Sequence, residues 1–410
     1  MPAAATLKAT VRFTASPSFG VSLVLGDLGS PLGTGVLSDA ATTPVDVTAV
    51  TNTVTISRGR DRILDRGSAG SCTITLTDTS GTLTPDGVYG DEILPMRQLQ
   101  ISAEYDSVVY TLGSFFVEAW DYTYSPGEAA AFITITAVDA FRILNLTEVT
   151  TVTGASAGDT TGTRIGEILD EISWPTSARD FSTGLTTCQA DPGTTRDTLT
   201  AIQTVVDTEL GAFFTKPNGV LKFMDRNAIV KAHAETPTSY VDTGSGIYYE
   251  SLDFDIDDTI LANDVTVQRT GGTAQNVTDA TSVASFFERD LSRTGLLMDS
   301  DADALNQAKA ILNQRKDPDL RIGSITIDAY QDTSDRVVAA LNTELFDPIQ
   351  VTRTQPGGGT VTRSLSVQGI EHRITPSSWK TTFQTAEKIL DGFILDSATS
   401  GVLGTSAISY

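Results

Sequence analysis

The chain has 410 residues, of which 51 are acidic and 28 basic, giving a formal net charge of −23. A length of this order accommodates about three domains, and 40% hydrophobic with 19% charged residues argues against a disordered chain. The acidic excess excludes a face that grips phosphates by counterion release, and suits a surface along which nucleic acid slides without sticking.

The first residues, MPAAATLKATVRF, lack the charged and apolar regions of a secretory signal. No stretch reaches about 18 uninterrupted apolar residues, so no membrane insertion by this chain is expected. Residues 1–50 alternate apolar pieces with turns such as Ser16-Pro17-Ser18 and Gly29-Ser30-Pro31 and read as short strands. Residues 54–145 read as strand after strand. Cys72, Ile74 and Leu76 alternate with Thr73, Thr75 and Thr77 up to a turn at Asp78-Thr79-Ser80-Gly81, and Ile133, Ile135 and Ala137 repeat the pattern. Cys72 and Cys188 are the only cysteines, too few for a disulfide framework or a CxxC metal pair, and both are expected to be free.

Residues 150–163 are rich in Gly, Thr and Ser and read as a linker or loop. Thr163 then caps an expected helix carrying Ile165, Ile168, Leu169 and Ile172 on one face, ended by Trp174-Pro175. A second helix is expected over 195–210, with Gly211 at its C-cap. Pro217-Asn218-Gly219 marks a hairpin. Beyond Thr243-Gly244-Ser245-Gly246 the chain returns to strands, interrupted by a helix that starts near Ser300 or Asp301 and runs to Arg315.

Four stretches carry a family resemblance. They are the RGR element with its Gly67–Gly70 loop, TITLTD-turn-LTP, FFVEAWDY…ITITAVDAFRIL, and VQGIEHRITPSSWKTTF with Val367, Gly369, Ile370, Glu371, His372, Ile374, Thr375, Pro376 and Trp379. Over residues 10–388 the chain resembles minor tail proteins, the tail-tip baseplate hub proteins of long-tailed, siphovirus-type bacteriophages. That resemblance implies a mainly β fold with an α+β insertion, in which two β-barrel hub domains flank a small α+β subdomain. The expected boundaries are 1–148 and 249–388 for the barrels, 149–248 for the α+β subdomain and 389–410 for a C-terminal tail that docks on another subunit. The resemblance also implies a structural virion protein, made and assembled in the host cytoplasm, that closes the tail tube and joins its sixfold rings to a threefold tip. The implied partners are two further copies in a homotrimer, the distal tail protein ring, the tape measure protein and other tail-tip proteins. DNA would pass through the channel without specific binding.

No constellation for chemistry is expected, so the catalytic, cofactor and metal sites are all read as none. Asp253, Asp255, Asp257 and Asp264 occupy positions 1, 3, 5 and 12 of a calcium loop, but Asp258 stands where glycine must make the sharp turn. The stretch reads instead as a strand with an acidic face, a candidate for lining the channel. Asp299, Asp301 and Asp303 read as negative charge at a helix N-terminus. With only His233 and His372 there is no His-rich zinc site, and His372 is read as structural. Gly357–Gly359 reads as a hairpin tip, and Trp120, Trp174 and Trp379 as core residues rather than sugar platforms. Two rival readings remain, a receptor- or carbohydrate-binding tail protein and a tail-associated cell-wall hydrolase. The two halves echo one another only weakly, each ending in a strand-rich run with a Trp, Trp120 and Trp379, and no residue-by-residue repeat aligns.

Overall fold

The computed structural model describes residues 5–13, 44–60, 66–255, 260–318, 321–330 and 334–387. Strand makes up 45% and helix 23%, so the expected mainly β class holds. The first half contributes β1 (Thr6–Arg12), β2 (Thr51–Gly59), β3 (Ser68–Asp78), β4 (Gln98–Tyr105), β5 (Val108–Tyr124) and β6 (Ala131–Val138). The expected alternations are present: Cys72, Ile74, Leu76, Ile133, Ile135 and Ala137 are all buried. Asp78 makes the turn by accepting from the backbone N–H groups of Ser80, Gly81 and Leu83.

The insertion holds α1 (Thr161–Glu171), α2 (Thr198–Glu209) and a hairpin of β7 (Ala212–Thr215) and β8 (Leu221–Met224), with Gly219 at φ +85 in the turn. Both helices differ from expectation at an end. Thr160, not Thr163, caps α1, because Gly162 has no Cβ and packs its backbone against the Ser182 carbonyl, where a methyl would sit 2.0 Å away. Asp197 caps α2, and Leu210 rather than Gly211 takes the left-handed C-cap, at φ 57. Helix α3 (Asp301–Arg315) begins after Ser300, whose side chain accepts from the Asp303 N–H. It packs Ala304, Ala308 and Ile311 against Val265, Val267 and Leu296 of a separate three-stranded sheet.

The second half supplies β9 (Thr238–Val241), β10 (Ser251–Asp255), β11 (Arg321–Asp328), β12 (Pro348–Thr354), β13 (Thr360–Thr375) and β14 (Ser378–Glu387). Among the described residues no closed barrel is found, which leaves the expected two barrels unconfirmed. The strands of both halves join one 14-stranded sheet. The join is made by β13. Its first part pairs with β12, and its residues Gly369–Ile374 pair antiparallel with β2, Ile374 opposite Val54 and His372 opposite Ile56. The change of partner falls at a bulge at Gln368, where a bulge bends and re-aims a strand.

Within that sheet the two halves repeat one another. The order β2-β3-β6-β5-β4-β1 in the first half is matched by β10-β11-β14-β13-β12-β9 in the second. The match extends to residues at one constant spacing along the chain. Met96 and Phe346 are both non-glycine residues at positive φ, 63 and 72. Each donates its N–H to a strand carbonyl at 2.7 Å, Met96 to Val117 and Phe346 to Val367. Leu99 and Ile349, Ile101 and Val351, and Phe115 and Leu365 are buried at the same spacing, and the bulges at Glu118 and Gln368 coincide. The Trp echo is not part of this repeat. Trp120 matches Ile370, while Trp379, opposite Ile374, matches Ala131, opposite Tyr124. One strand departs from the match, since β1 pairs antiparallel with β4 whereas β9 pairs parallel with β12.

Gly59 lies where the halves join, at φ +99, and a Cβ there would meet the Gln368 carbonyl at 2.3 Å and the Gly369 Cα at 2.8 Å. Gly59→Ala is expected to lower stability by roughly 1–3 kcal/mol through strain at an L-disfavoured conformation. Gly127→Ala, at φ +86 but in open space, is expected to cost less. Urea midpoints of the two variants check this, and equal losses would count against backbone crowding at the join.

Candidate assembly interface

The join between the halves is pinned by polar groups that the β2–β13 pairing buries. Arg58 of β2 is buried and pairs with Glu344 at 3.1 Å. The Arg60 N–H donates to the Gln368 carbonyl and its Nε to the Gln368 Oε1, both at 2.9 Å, while its guanidinium sits 5.1 Å from the centre of the Phe346 ring. Asp139 accepts from the backbone N–H groups of Gly70 at 2.8 Å and Phe141 at 3.0 Å. Burial raises its carboxyl to about 6 against the pull of those donors, Thr215 and Arg58. A small pocket opens beside the join, and there Asp207 of α2 receives Arg66 at 2.9 Å and Arg293 at 2.8 Å. Its polar side chains serve one another across three parts of the chain, which is a structural use of charge.

The residues singled out by sequence do not converge on one site. Asp253 lies exposed on β10 and accepts from Ser324 at 2.8 Å, while Leu252 and Phe254 turn toward the core; of the three residues expected on an acidic face, Asp253 alone has a described side chain. Asp264 starts a strand of a different sheet and is engaged by Asn276 and Thr278, and Asp257 lies outside the described residues. Asp264, Glu288 and Asp290 bring carboxylate oxygens within 4.8 Å of one another, a grouping that the spacing of the sequence did not signal. Asp301 pairs with Arg269 at 2.6 Å, and Asp303 hydrogen-bonds Ser300 at the start of α3. Gly357–Gly359 are a hairpin tip between β12 and β13, all at positive φ. Cys72 and Cys188 are free and buried. Trp174 and Trp379 are buried, and Trp120 is half-buried, its ring 6.1 Å from Phe13 and its Nε1 donating to the Leu94 carbonyl. No helix among the described residues is long and apolar enough to cross a membrane. The expected tail, 389–410, lies outside the described residues.

What the repeat exposes is a pair of strand edges. Lateral rows run Val54–Ile74–Ile135–Trp120 in the first half and Leu252–Ile325–Phe383–Ile370 in the second, so Leu252 is the counterpart of Val54 and Trp120 of Ile370. Ile370, His372 and Ile374, whose edge is covered by β2, are 2%, 2% and 4% exposed. Their counterparts on β5, Trp120 and Tyr122, are half-buried, and Tyr124 is 58% exposed. Val54 and Ile56 of β2 are buried, whereas Leu252 and Phe254 of β10 are half-buried. Among the described residues no strand pairs with the outer edge of Ala119–Tyr124 or with that of Ser251–Asp255.

His372 is structural, as expected. Its Nδ1 lies 3.0 Å from the Thr381 hydroxyl, and burial, with a smaller contribution from Arg58, lowers its pKa to about 3. The sign follows from the unfolded chain, where an ordinary histidine takes up a proton below about 6.5. As pH falls from about 6.5 toward 3, the unfolded chain binds that proton and the folded one does not, so the stability contributed by neutral His372 drains away. Asp139, raised to about 6, acts oppositely over part of this window, so the informative quantity is a difference. The stability gap between the native chain and His372→Gln is expected to shrink between pH 7 and pH 4 by up to about 1.4 kcal/mol per pH unit. Urea titrations at several pH values measure it, and a constant gap would refute the assignment.

No family model matches the sequence, and no curated protein is similar to it at a significant level. Solved structures are similar in fold. The tail protein of Neisseria meningitidis MC58 superposes with a TM-score of 0.58 at 13% identity, covering 94% of this chain and 97% of that one. The 43 kDa tail protein of prophage MuSo2 from Shewanella oneidensis gives 0.54 at 11% identity, over 84% of this chain and 96% of the other. At these identities the likeness is one of fold, and it spans nearly the whole of each relative. The fold of this chain is the fold of these two tail proteins.

Proposed function

We propose that the chain is a structural, non-enzymatic hub of a phage tail tip, a virion component in which three copies surround one axis. The observation that carries this reading is the strand order used twice in one chain. Three copies present six similar modules, which matches a sixfold tube above while remaining threefold below. Heterologous contacts close into a ring when each neighbour is rotated by a fixed fraction of a turn.

In this reading residues 1–148 and 249–388 are barrel modules, residues 149–248 a lateral α+β unit, and residues 389–410 a segment for docking on a neighbour. Two hydrogen-bond patterns support barrel closure. The run 45–59 bonds at its start to β1, through Val47 to Ala9 at 2.9 Å, and then crosses to β3. The run 247–255 bonds at its start to β9 and crosses to β11 through Glu250, which donates to Thr326 at 2.7 Å. Each run links the two ends of its own half of the sheet. The partners are the distal tail protein ring, the tape measure protein and other tip proteins, and the channel passes DNA along an acidic wall that repels it. Asp253 lies on a face suited to that wall.

Native mass spectrometry of the full chain, followed by reconstruction of the assembled particle, tests the proposal. Three copies in one ring at the tip are expected. Six copies per ring, a single copy on the axis, or a location outside the tail would refute it.

A further inference from the structure

The internal repeat specifies an intermolecular contact, because an edge that is covered once inside the chain recurs uncovered. Inside the chain, the C-terminal part of β13 covers β2. The counterpart of the covering strand is Ala119–Tyr124 of β5, and the counterpart of the covered strand is β10. Among the described residues both are unpaired on that edge. Uncovered edges expose backbone N–H and C=O groups and template the addition of a strand. Here the exposed side chains are apolar as well. Trp120, Tyr122 and Tyr124 point the way that Ile370, His372 and Ile374 do, and Leu252 and Phe254 the way of Val54 and Ile56.

We infer that the Ala119–Tyr124 edge of one copy pairs antiparallel with the Ser251–Asp255 edge of a second copy of the same chain, repeating between molecules the join within each molecule. The register transfers as far as Asp253. Ile374 faces Val54 and Arg373 faces Thr55 inside the chain, so Tyr124 faces Leu252 and Thr123 faces Asp253 across the contact; beyond Asp253 the β10–β11 pairing shifts by one residue, a step absent from β2–β3 at Thr55–Ile56. Tyr124 and Leu252 leave water on one face, and the Thr123 hydroxyl meets the Asp253 carboxylate on the other. The edges belong to strands three places apart in the matched order, β2-β3-β6-β5, so each module offers a donor edge on one side and an acceptor edge on another. That is a head-to-tail contact, which propagates and closes. The inference rests on the trimer reading but names its interface independently of the copy number.

The test mixes two full-length chains, one carrying Thr123→Cys and the other Asp253→Cys, and treats them with a short bis-maleimide. Directly opposed residues in a strand pair have Cβ atoms about 5 Å apart, within reach of that reagent, and the native Cys72 and Cys188 are buried. A covalent dimer in the mixture, absent from either chain alone, is expected. A chain carrying both substitutions is expected to give a covalent trimer. A trimer by native mass spectrometry with no cross-link in the mixture overturns the edge pairing and leaves the trimer standing. Cross-links that build dimers or open polymers keep the edge pairing and overturn the trimer. A chain that stays monomeric at every concentration overturns both. Tyr124→Asp is expected to weaken self-association at least ten-fold without shifting the melting temperature of the monomer, and unchanged association would also overturn the pairing.

Discussion

The two-sided use of β13 is the constraint on which the rest of the structure depends. A strand of 16 residues is long enough to serve two neighbours on one edge, first β12 and then β2, provided that it turns between them. The bulge at Gln368 supplies the turn. Gln368 then fixes the partner, receiving Arg60 at both its backbone carbonyl and its side chain. The close approach leaves no room for a Cβ at Gly59. Six facing residue pairs from Gly369 to Ile374 set Ile374 against Val54, His372 against Ile56 and Ile370 against Arg58, all buried, so side-chain burial and backbone bonding act at the same place.

Local structure was legible where the signal is local. Thr-rich alternation around Cys72 and Ile133, the Pro217-Asn218-Gly219 hairpin and the Ser300 cap each depend on residues close together in the chain. The helix starts were misplaced for reasons of packing. Thr161 and Gly162 lie against the 182–186 segment and the buried Glu209, contacts that a periodicity cannot reveal. The repeat was invisible for a different cause. What it preserves is hydrogen bonding, burial and backbone conformation, and these accept Met96 for Phe346, Leu99 for Ile349 or Trp120 for Ile370. Its spacing also breaks outside the long hairpins, because residues 256–320 lie between β10 and β11 while only 60–67 separate β2 from β3. The join itself pairs residues more than 300 positions apart, such as Ile56 with His372.

The charge pattern has a structural explanation in part. Many of the scarce cations are spent inside the chain. Arg58 pairs with Glu344, Arg164 with Asp159, Arg226 with Glu209 and Arg293 with Asp207, each with one partner largely buried. Breaking such a pair strands a buried charge; Arg58 ties the two halves together, Arg164 and Arg226 lock the insertion internally, and Arg293 joins the insertion to the three-stranded sheet.

A repeat within one chain changes what assembly must achieve. In a ring of identical single modules every contact is the same, and the ring carries one symmetry throughout. When two modules are fused, contacts alternate between a covalently tethered one and a free one, while their shape need not alternate at all. Here the tethered contact is visible as strand pairing between β13 and β2, and it is made by the edges that the repeat duplicates on β5 and β10. The halves diverge in the reversed β9, in the register shift at Asp253/Phe254, in the length of chain between β10 and β11, and in the α+β insertion, which occurs once per chain. In the proposed trimer, near-equivalent edges with non-equivalent decorations are the combination that would let one layer look sixfold on one face and threefold on the other.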